Sequence, residues 1–169
     1  MKTNAHLLVS VFLFTVLFVN VDTASAQLDF SKDPHFGTVR LESGFTPDPK
    51  TIRVVSGGSV AVANLKLCSS CSGFASSAPD VKLYWSGDDS DLVIYFEADD
   101  SSDDATIIIN TPSERWVGND DASDSTLNPM IRLSGQGAGL YDIWVGSYTS
   151  GASISGTLTI TELNSRRPR

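Results

Sequence analysis

The chain has 169 residues, two cysteines and a formal net charge of −8 at neutral pH. This acidic balance disfavours nucleic acids and anionic membranes as partners, because phosphate binding requires Lys and Arg side chains gathered on one face. A chain of this length is expected to form one domain with its own apolar core.

The first 26 residues have the pattern of a secretory signal peptide. An apolar run extends from Leu7 to Val19, and Ala24-Ser25-Ala26 forms a small-residue cleavage pattern. The apolar run is shorter than the roughly 20 residues that a membrane-spanning helix needs. We therefore predict a secreted or periplasmic protein without membrane insertion, whose mature chain begins at Gln27.

The remaining sequence has the short period of β-strands rather than the period of helices. We expect a flexible N-terminal arm over residues 27–37, one β-sandwich domain over 38–163 and a disordered basic tail over 164–169. Runs of β-branched and aromatic residues alternate with turns rich in Gly, Pro, Asp and Ser. In chain order, the predicted strands are 38–42, 51–56, 59–65, 80–85, 91–98, 105–110, 114–117, 129–134, 139–148 and 156–163.

Eight to ten short strands separated by turns predict an all-β fold, an antiparallel β-sandwich with jelly-roll-like connections. Gly57 and Gly58 separate two of the predicted strands, which indicates a tight hairpin at this point. The turn residues 111–113 predict a second hairpin between segments 105–110 and 114–117.

Both cysteines lie in the motif LCSSCSG, as Cys68 and Cys71. In an exported protein, an even number of cysteines favours a disulfide. A redox pair usually opens a helix, which the following SGFASSAPD does not resemble, and zinc requires two further ligands. A local disulfide is therefore the main prediction, with free thiols, a redox pair and a metal site as alternatives.

Acidic residues are concentrated in segment 88–124, which contains twelve Asp and Glu residues and a single basic one, Arg115. The second predicted hairpin brings the residues before its first strand close to those after its second strand. Calcium prefers carboxylate and amide oxygens and tolerates irregular geometry, but the segment does not match an EF-hand. A solvated loop of turn-forming residues is the alternative. The predicted calcium ligands are Asp104, Asn119, Asp121, Asp124 and Asn128.

The sequence does not have the patterns of common catalytic sites. His35, the only histidine after the predicted cleavage site, lies in the expected flexible arm, and a catalytic triad requires a positioned histidine. The motifs Gly-x-Ser-x-Gly and His-Glu-x-x-His are missing. We therefore predict a protein that is not an enzyme.

Three aromatic residues are predicted to point away from the core by strand alternation: Tyr84, Tyr95 and Trp144. Exposed rings beside polar groups can stack on sugars or peptides, so these residues form a candidate ligand face. The alternative is that the rings serve only for packing, as aromatic residues in strands often do.

Several segments, in this order, resemble the pre-peptidase C-terminal (PPC-like) β-sandwich domains of secreted bacterial proteins. The resemblance implies a jelly-roll-like sandwich, export and an accessory role, and some such domains bind calcium or extracellular polymers. Relatives often have a cysteine where Gly118 stands, which implies that Cys68 pairs with Cys71 here instead. The matching segments are SGFTPDP, VVSGGSV, APDVKLYWSG, DDATIIIN, WVGNDD, LNPMIRL and GLYDIWVGSYTSG.

The combined prediction is an exported, monomeric and non-catalytic binding or accessory module that is stabilised by calcium. Its expected partner is an extracellular or envelope polysaccharide or a secreted protein. The alternatives are a small secreted hydrolase and a folding or inhibitory partner of a separate secreted peptidase.

Overall fold

A computed structural model describes residues 27–87, 91–135 and 137–169, and the predicted signal peptide lies outside these ranges. The described chain forms two packed β-sheets and one short helix, which confirms the predicted all-β sandwich of mostly antiparallel strands. No helix in this part of the chain is long and apolar enough to cross a membrane. The elements are β1 (Thr38–Leu41), β2 (Lys50–Val55), β3 (Val60–Ala61), α1 (Val62–Leu65), β4 (Phe74–Ala75), β5 (Val81–Trp85), β6 (Leu92–Ala98), β7 (Ala105–Asn110), β8 (Trp116–Asn119), β9 (Met130–Leu133), β10 (Gly139–Ser147) and β11 (Ser155–Thr161).

Sheet A contains seven strands and is organised around β10. One edge of β10 pairs with β7, and the other edge pairs first with β5 and then with β4. The strand β8 pairs with β7, which confirms the predicted second hairpin. At the other side of the sheet, β1 pairs with β5 in parallel, an exception to the predicted antiparallel arrangement.

Sheet B has four antiparallel strands in the order β2, β11, β6 and β9. Because side chains alternate across a strand, one face of each sheet can be apolar, and these two faces pack together to form the main core. Its fully buried residues include Leu83, Ile107, Tyr141 and Ile143 of sheet A and Phe96, Leu158 and Ile160 of sheet B.

A second, smaller core lies on the outer face of sheet A. Trp144 and Ile108, which point away from the main core, are both fully buried here. They are covered by the N-terminal segment 27–36 and by segment 60–79, which includes β3 and β4; we call these two segments the outer layer. Leu28, Val62 and Cys71 belong to this cluster and to the outer layer. The outer face of sheet A is therefore partly an internal surface.

The predicted hairpin at Gly57 and Gly58 is wrong. The strand β2 pairs with β11 in sheet B, whereas β3 pairs with β4 in sheet A, so the chain crosses between the sheets at these glycines. At Gly58, φ is 153° and an added Cβ would lie 2.1 Å from the carbonyl carbon of Ala75. The glycine thus permits a close backbone crossing rather than a two-residue turn.

The predicted strand 59–65 is correct only at its beginning. The strand β3 ends at Ala61, and α1 follows immediately and ends at Leu65, with Lys66 as a C-cap that has a left-handed φ of 54°. Val62 is the buried residue of this helical turn and contributes to the second core. One helical turn is too short to give the repeated spacing by which a helix is predicted from sequence.

Residues 27–37, for which a flexible arm was expected, contact the sandwich in the structure. The backbone N–H of Asp29 donates to the carbonyl of Ser77 at 2.7 Å, and that of Phe36 donates to the carbonyl of Asp80 at 2.8 Å. Leu28 is 8% exposed. This segment lacks an alternating apolar pattern, and so the sequence did not predict its contacts.

The tail 164–169, expected to be disordered, also contacts the sandwich in the structure. Pro168 is buried. The backbone oxygen of Arg169 accepts hydrogen bonds from Thr126 Oγ1 at 2.7 Å and from Asn128 Nδ2 at 2.8 Å. The tail therefore lies against the loop that follows β8.

Candidate functional site

The β7–β8 hairpin brings the acidic segments close enough for their charges to interact. Burial raises the pKa of Asp104, and the carboxylates of Asp121 and Asp120 raise it further. Burial likewise raises the pKa of Asp121, with further contributions from Asp120 and Asp124. The fold thus gathers carboxylates that are separated in sequence, as the hairpin predicted.

The two amide side chains of the predicted calcium set have other partners. Asn119 Oδ1 accepts the backbone N–H of Met130 at 2.8 Å. Asn128 Oδ1 accepts the backbone N–H of Ala98 at 2.9 Å. These bonds attach the acidic loop to the strands β9 and β6. The positions of both asparagines are therefore explained without a cation.

No group of three or more His, Cys, Asp and Glu side chains that could hold a metal ion is found in residues 27–87, 91–135 and 137–169. Asp104 Oδ1 is nevertheless buried without a hydrogen-bond partner in the described chain. A cation would satisfy such an oxygen. Calcium binding stays a prediction, and its remaining candidate ligands, the carboxylates of Asp104, Asp121 and Asp124, do not form a metal-binding group as they are placed in the structure.

The three aromatic residues of the predicted ligand face do not share a surface. Trp144 is 0% exposed and packs against Trp116, with 5.4 Å between ring centroids. Tyr95 lies in sheet B and is 8% exposed, whereas Tyr84 lies in sheet A and is 38% exposed. The prediction of exposure is wrong for Trp144 and Tyr95, because strand alternation tells which side a residue faces but not what covers it.

Tyr84 lines an open groove at the edge of sheet A. The groove consists of two adjoining hollows of about 650 Å³ and 300 Å³, which share Arg40, Leu41, Phe45 and Thr46. All four residues of β1 line it. Its other walls come from residues 42–47 with Lys50, and from residues 84–86. We call this feature the β1 groove.

The wall formed by residues 42–47 is fixed by contacts with both sheets. Glu162, just after β11, accepts the backbone N–H of Gly44 at 2.6 Å and the hydroxyl of Ser43 at 2.8 Å. The ring of Phe45 packs edge-on against Trp85, with 6.3 Å between centroids. The groove is therefore shaped by the fold before any ligand arrives.

Arg40 and Lys50 give the β1 groove a local charge that differs from the rest of the protein. The guanidinium carbon of Arg40 lies 4.1 Å from the ring centroid of Tyr84, a cation–π contact. No carboxylate of the described chain lies within 4.0 Å of the charged nitrogens of Arg40 or Lys50. Glu42 is the acidic residue among the groove walls, in a protein whose net charge is −8.

The strand β1 leaves backbone hydrogen-bonding groups free along the groove. The carbonyls of Gly37 and Leu41 accept the N–H groups of Lys82 and Ser86, at 3.2 Å and 3.0 Å, and thus point toward β5. Because this direction alternates along a strand, the backbone N–H and C=O of Thr38 and Arg40 point away from β5. In the described chain, no strand pairs with this side of β1.

A buried carboxylate lies beneath the N-terminal segment. Asp80 is 1% exposed, and this burial raises its pKa to about 7, although a hydrogen bond from the backbone N–H of Val145 acts to lower it. That bond measures 2.7 Å to Oδ2, and His35 Nδ1 lies 3.6 Å from Oδ1. The histidine is thus positioned by contacts that the sequence analysis did not predict.

A second charged pair lies close by on the outer face of sheet A. Lys82 and Asp142 are cross-strand partners, with 3.8 Å between Nζ and Oδ1. Lys82 Nζ also donates to the carbonyl of Phe30 at 2.9 Å, which ties the N-terminal segment to β5. Burial raises the pKa of Asp142, and the charge of Lys82 opposes this effect. These charges connect the outer layer to the sheet.

The predicted disulfide between Cys68 and Cys71 is present in the structure. Cys71 is 5% exposed and belongs to the second core. A Cβ added to Gly118 of β8 would lie 3.1 Å from Cys71 Sγ. Position 118 of β8 therefore lies directly beside the disulfide.

Comparison with models of protein families and with curated proteins gives no match. Among solved structures, the chain is similar to Aeromonas hydrophila PliG, a periplasmic lysozyme inhibitor of g-type lysozyme. The identity is 12% and the TM-score is 0.38, over 74% of this chain and 96% of that protein. At this level of similarity, a function has to be inferred from the chain's own residues.

Proposed function

We propose that this protein is an exported, non-catalytic binding module whose ligand occupies the β1 groove. The supporting observation is the half-exposed ring of Tyr84, which lines a hollow of about 650 Å³. Ligand sites are typically concave, about 300–1,000 Å³ in volume, and combine aromatic walls with a few polar groups.

The groove offers both kinds of contact. Tyr84 and Phe45 provide aromatic surface, and Arg40, Glu42 and Ser86 provide polar groups. Because the cation–π contact holds the Arg40 guanidinium over the Tyr84 ring, these two side chains form one composite surface. A polymer or a protein segment could lie along such an open groove.

The contacts of the single histidine of the described chain support a non-catalytic role. A Ser-His-Asp triad requires a nucleophile hydrogen-bonded to the histidine. The described side-chain contacts of His35 are with Asp80 and with the ring of Phe36. The contact between His35 and Asp80 attaches the N-terminal segment to the sandwich. A secreted hydrolase is the competing function, and an esterase, peptidase and glycosidase panel would identify it.

The proposed function is tested by binding with a matched pair of tyrosine variants. Tyr84→Ala removes the exposed ring of the groove, and Tyr148→Ala removes a ring that is 51% exposed at the far end of β10. Immobilised extracellular polysaccharides and secreted proteins serve as probes. We expect Tyr84→Ala to weaken capture at least tenfold and Tyr148→Ala to leave it unchanged. Equal effects of the two variants would contradict the assignment of the groove.

We also propose that calcium stabilises the acidic loops through the carboxylates of Asp104, Asp121 and Asp124. The buried, unpartnered Oδ1 of Asp104 supports this proposal, as do the raised pKa values of Asp104 and Asp121. A cation that neutralises these carboxylates would relieve their mutual repulsion. The cation would support the fold and would not contact the ligand of the β1 groove.

A further inference from the structure

We propose that the β1 groove binds an extended peptide segment that adds to β1 as a further strand and places a carboxylate against Arg40. This inference rests on the proposed function, since it names the ligand class of the same groove. Strand addition to an open sheet edge is an established mode of peptide recognition, in which main-chain hydrogen bonds supply affinity and side-chain contacts supply selectivity.

The backbone of β1 supplies the first half of the recognition. Thr38 and Arg40 point their N–H and C=O groups away from β5, and the hollow of about 300 Å³ lies beside the whole strand. An incoming strand could form up to four main-chain hydrogen bonds with these two residues. A saccharide has no main chain of N–H and C=O groups at the spacing of a β-strand, which is why a peptide is favoured.

The groove is also preformed, so that its walls are in place before such a strand binds. The wall formed by residues 42–47 is bonded to Glu162 and packed on Trp85, so it is in place without a ligand. Binding therefore orders the peptide and leaves the groove largely unchanged. A preformed site lowers the entropy cost of association.

Charge supplies the second half of the recognition. Arg40 and Lys50 line the same hollow and have no ion-pair partner within the described chain. The guanidinium group can bind a carboxylate through two parallel hydrogen bonds, a geometry that Lys does not offer. The peptide is therefore expected to carry an Asp or Glu side chain, or its terminal carboxylate, opposite Arg40.

Edge strands in many proteins carry charged side chains for the opposite purpose, to prevent pairing with another chain. If Arg40 had only that protective role, its removal would cause self-association and would not reduce peptide binding. The two roles of Arg40 are therefore distinguishable in one experiment.

The test is a selection of random twelve-residue peptides from a display library against the chain from Gln27 to Arg169. The best peptide is then measured against Arg40→Gln and against Arg115→Gln, which removes an exposed arginine of the β7–β8 turn. We expect acidic peptides to be enriched, and Arg40→Gln to weaken binding at least tenfold while Arg115→Gln has no effect. Two versions of the peptide are N-methylated at alternate amides, one in each register, and the version whose methyl groups face β1 should lose binding at least tenfold.

Amide hydrogen exchange gives the decisive structural readout. With the peptide bound, the amides of Thr38 and Arg40 should exchange at least tenfold more slowly, since they become donors to the added strand. Unchanged exchange at both residues, or full binding of both N-methylated peptides, would overturn strand addition. Self-association of Arg40→Gln without loss of peptide binding would assign the protective role instead.

Polysaccharide probes separate this inference from the proposed function. If no peptide is enriched but polygalacturonate binds and Tyr84→Ala abolishes that binding, strand addition is wrong and the groove is still a binding site. If neither peptides nor polysaccharides bind in a manner that depends on Tyr84, the inference and the proposed function both fail.

Discussion

The outer face of sheet A has a covered half and an open half, and both halves have the same strand alternation. Trp144 and Ile108 lie in the covered half, beneath the outer layer, and both are fully buried. Tyr84 and Arg40 lie in the open half, and both are exposed. The periodicity of the strands is the same in the two halves. The position of the outer layer therefore decides which residues of this face pack in a core and which are open to a ligand.

The two halves also differ in the burial of their charged groups. Asp80 and Asp142 are nearly inaccessible beneath the N-terminal segment, and burial raises the pKa of both. Arg40 in the open half is exposed and stacked on Tyr84. The buried carboxyl groups of the covered half thus affect the stability of the fold, whereas the Arg40 side chain of the open half is available to a ligand.

The largest expected difference between the halves comes from replacing their aromatic residues. Trp144→Ala should lower the free energy of unfolding by about 3–5 kcal/mol, because it leaves a cavity in the second core. Tyr84→Ala should change it by less than about 1 kcal/mol, as is usual for surface substitutions. Urea unfolding of the two variants measures both effects. Similar losses would mean that the open half is also a packing surface.

Asp80 should make the covered half sensitive to pH. Its pKa is about 7 in the folded state against an ordinary value of 3.8, so the folded state keeps a proton that the unfolded state loses. Stability contributed by this proton is therefore lost as pH rises from about 4 to 7, by up to about 4 kcal/mol. Asp80→Asn cannot ionise but still accepts the N–H of Val145. The variant should be the more stable protein at pH 8.

The measurement for Asp80 is chemical unfolding of both proteins at several pH values between 4 and 8. The difference between the two proteins isolates Asp80 from the other carboxylates, such as Asp29 and Asp99, whose pKa values are lowered by hydrogen bonds. We expect this difference to grow from about pH 4 to about pH 7 and then to level off. Parallel pH profiles would show that Asp80 does not carry the effect.

The disulfide should have a moderate effect on the covered half. Closing so short a loop between Cys68 and Cys71 restricts the unfolded chain by about 2 kcal/mol in the chain-entropy relation. Reduction should therefore lower the midpoint of thermal unfolding by a few degrees. The variant with both cysteines replaced by alanine should not respond to reductant. Calorimetry with and without reductant provides the measurement, and an unchanged midpoint of the native chain would contradict it.

Calcium should have the smallest effect, in a region away from both halves. At tenfold excess over its dissociation constant, calcium should add about 1.4 kcal/mol to the free energy of unfolding. Asp104→Asn should abolish this gain, while Asp33→Asn, which changes an exposed residue of the N-terminal segment, should not. Thermal unfolding after EDTA treatment, followed by titration with calcium and magnesium, tests the prediction. A midpoint that neither ion moves would make the acidic loops solvated turns.

Local pattern was sufficient to predict much of the fold. Alternating apolar residues indicated most strands, the turn at residues 111–113 indicated the β7–β8 hairpin, and the even number of cysteines in a chain with a signal-peptide pattern indicated the disulfide. Each of these features depends on residues that are close in sequence. The Gly57-Gly58 hairpin failed because the same glycines serve a crossing between sheets, which depends on distant strands.

The site could be predicted only in part for the same reason. Alternation placed Tyr84 and Trp144 away from the main core, which is correct, but the cover over Trp144 comes from segments 27–36 and 60–79, whose position over this face no local pattern specifies. The contact of Arg40 with Tyr84 follows from the parallel register of β1 and β5, which pairs these two residues. No local signal in the sequence specifies a parallel pairing between strands so far apart.

The most direct test of the division between the two halves is an exchange map of the whole molecule. Amide hydrogen exchange of the chain from Gln27 to Arg169 would be compared with and without a ligand selected from the peptide or polysaccharide probes. We expect slower exchange along β1, residues 42–47 and Tyr84, with no change around Trp144 or the acidic loops. Protection confined to the acidic loops or the outer layer would contradict it.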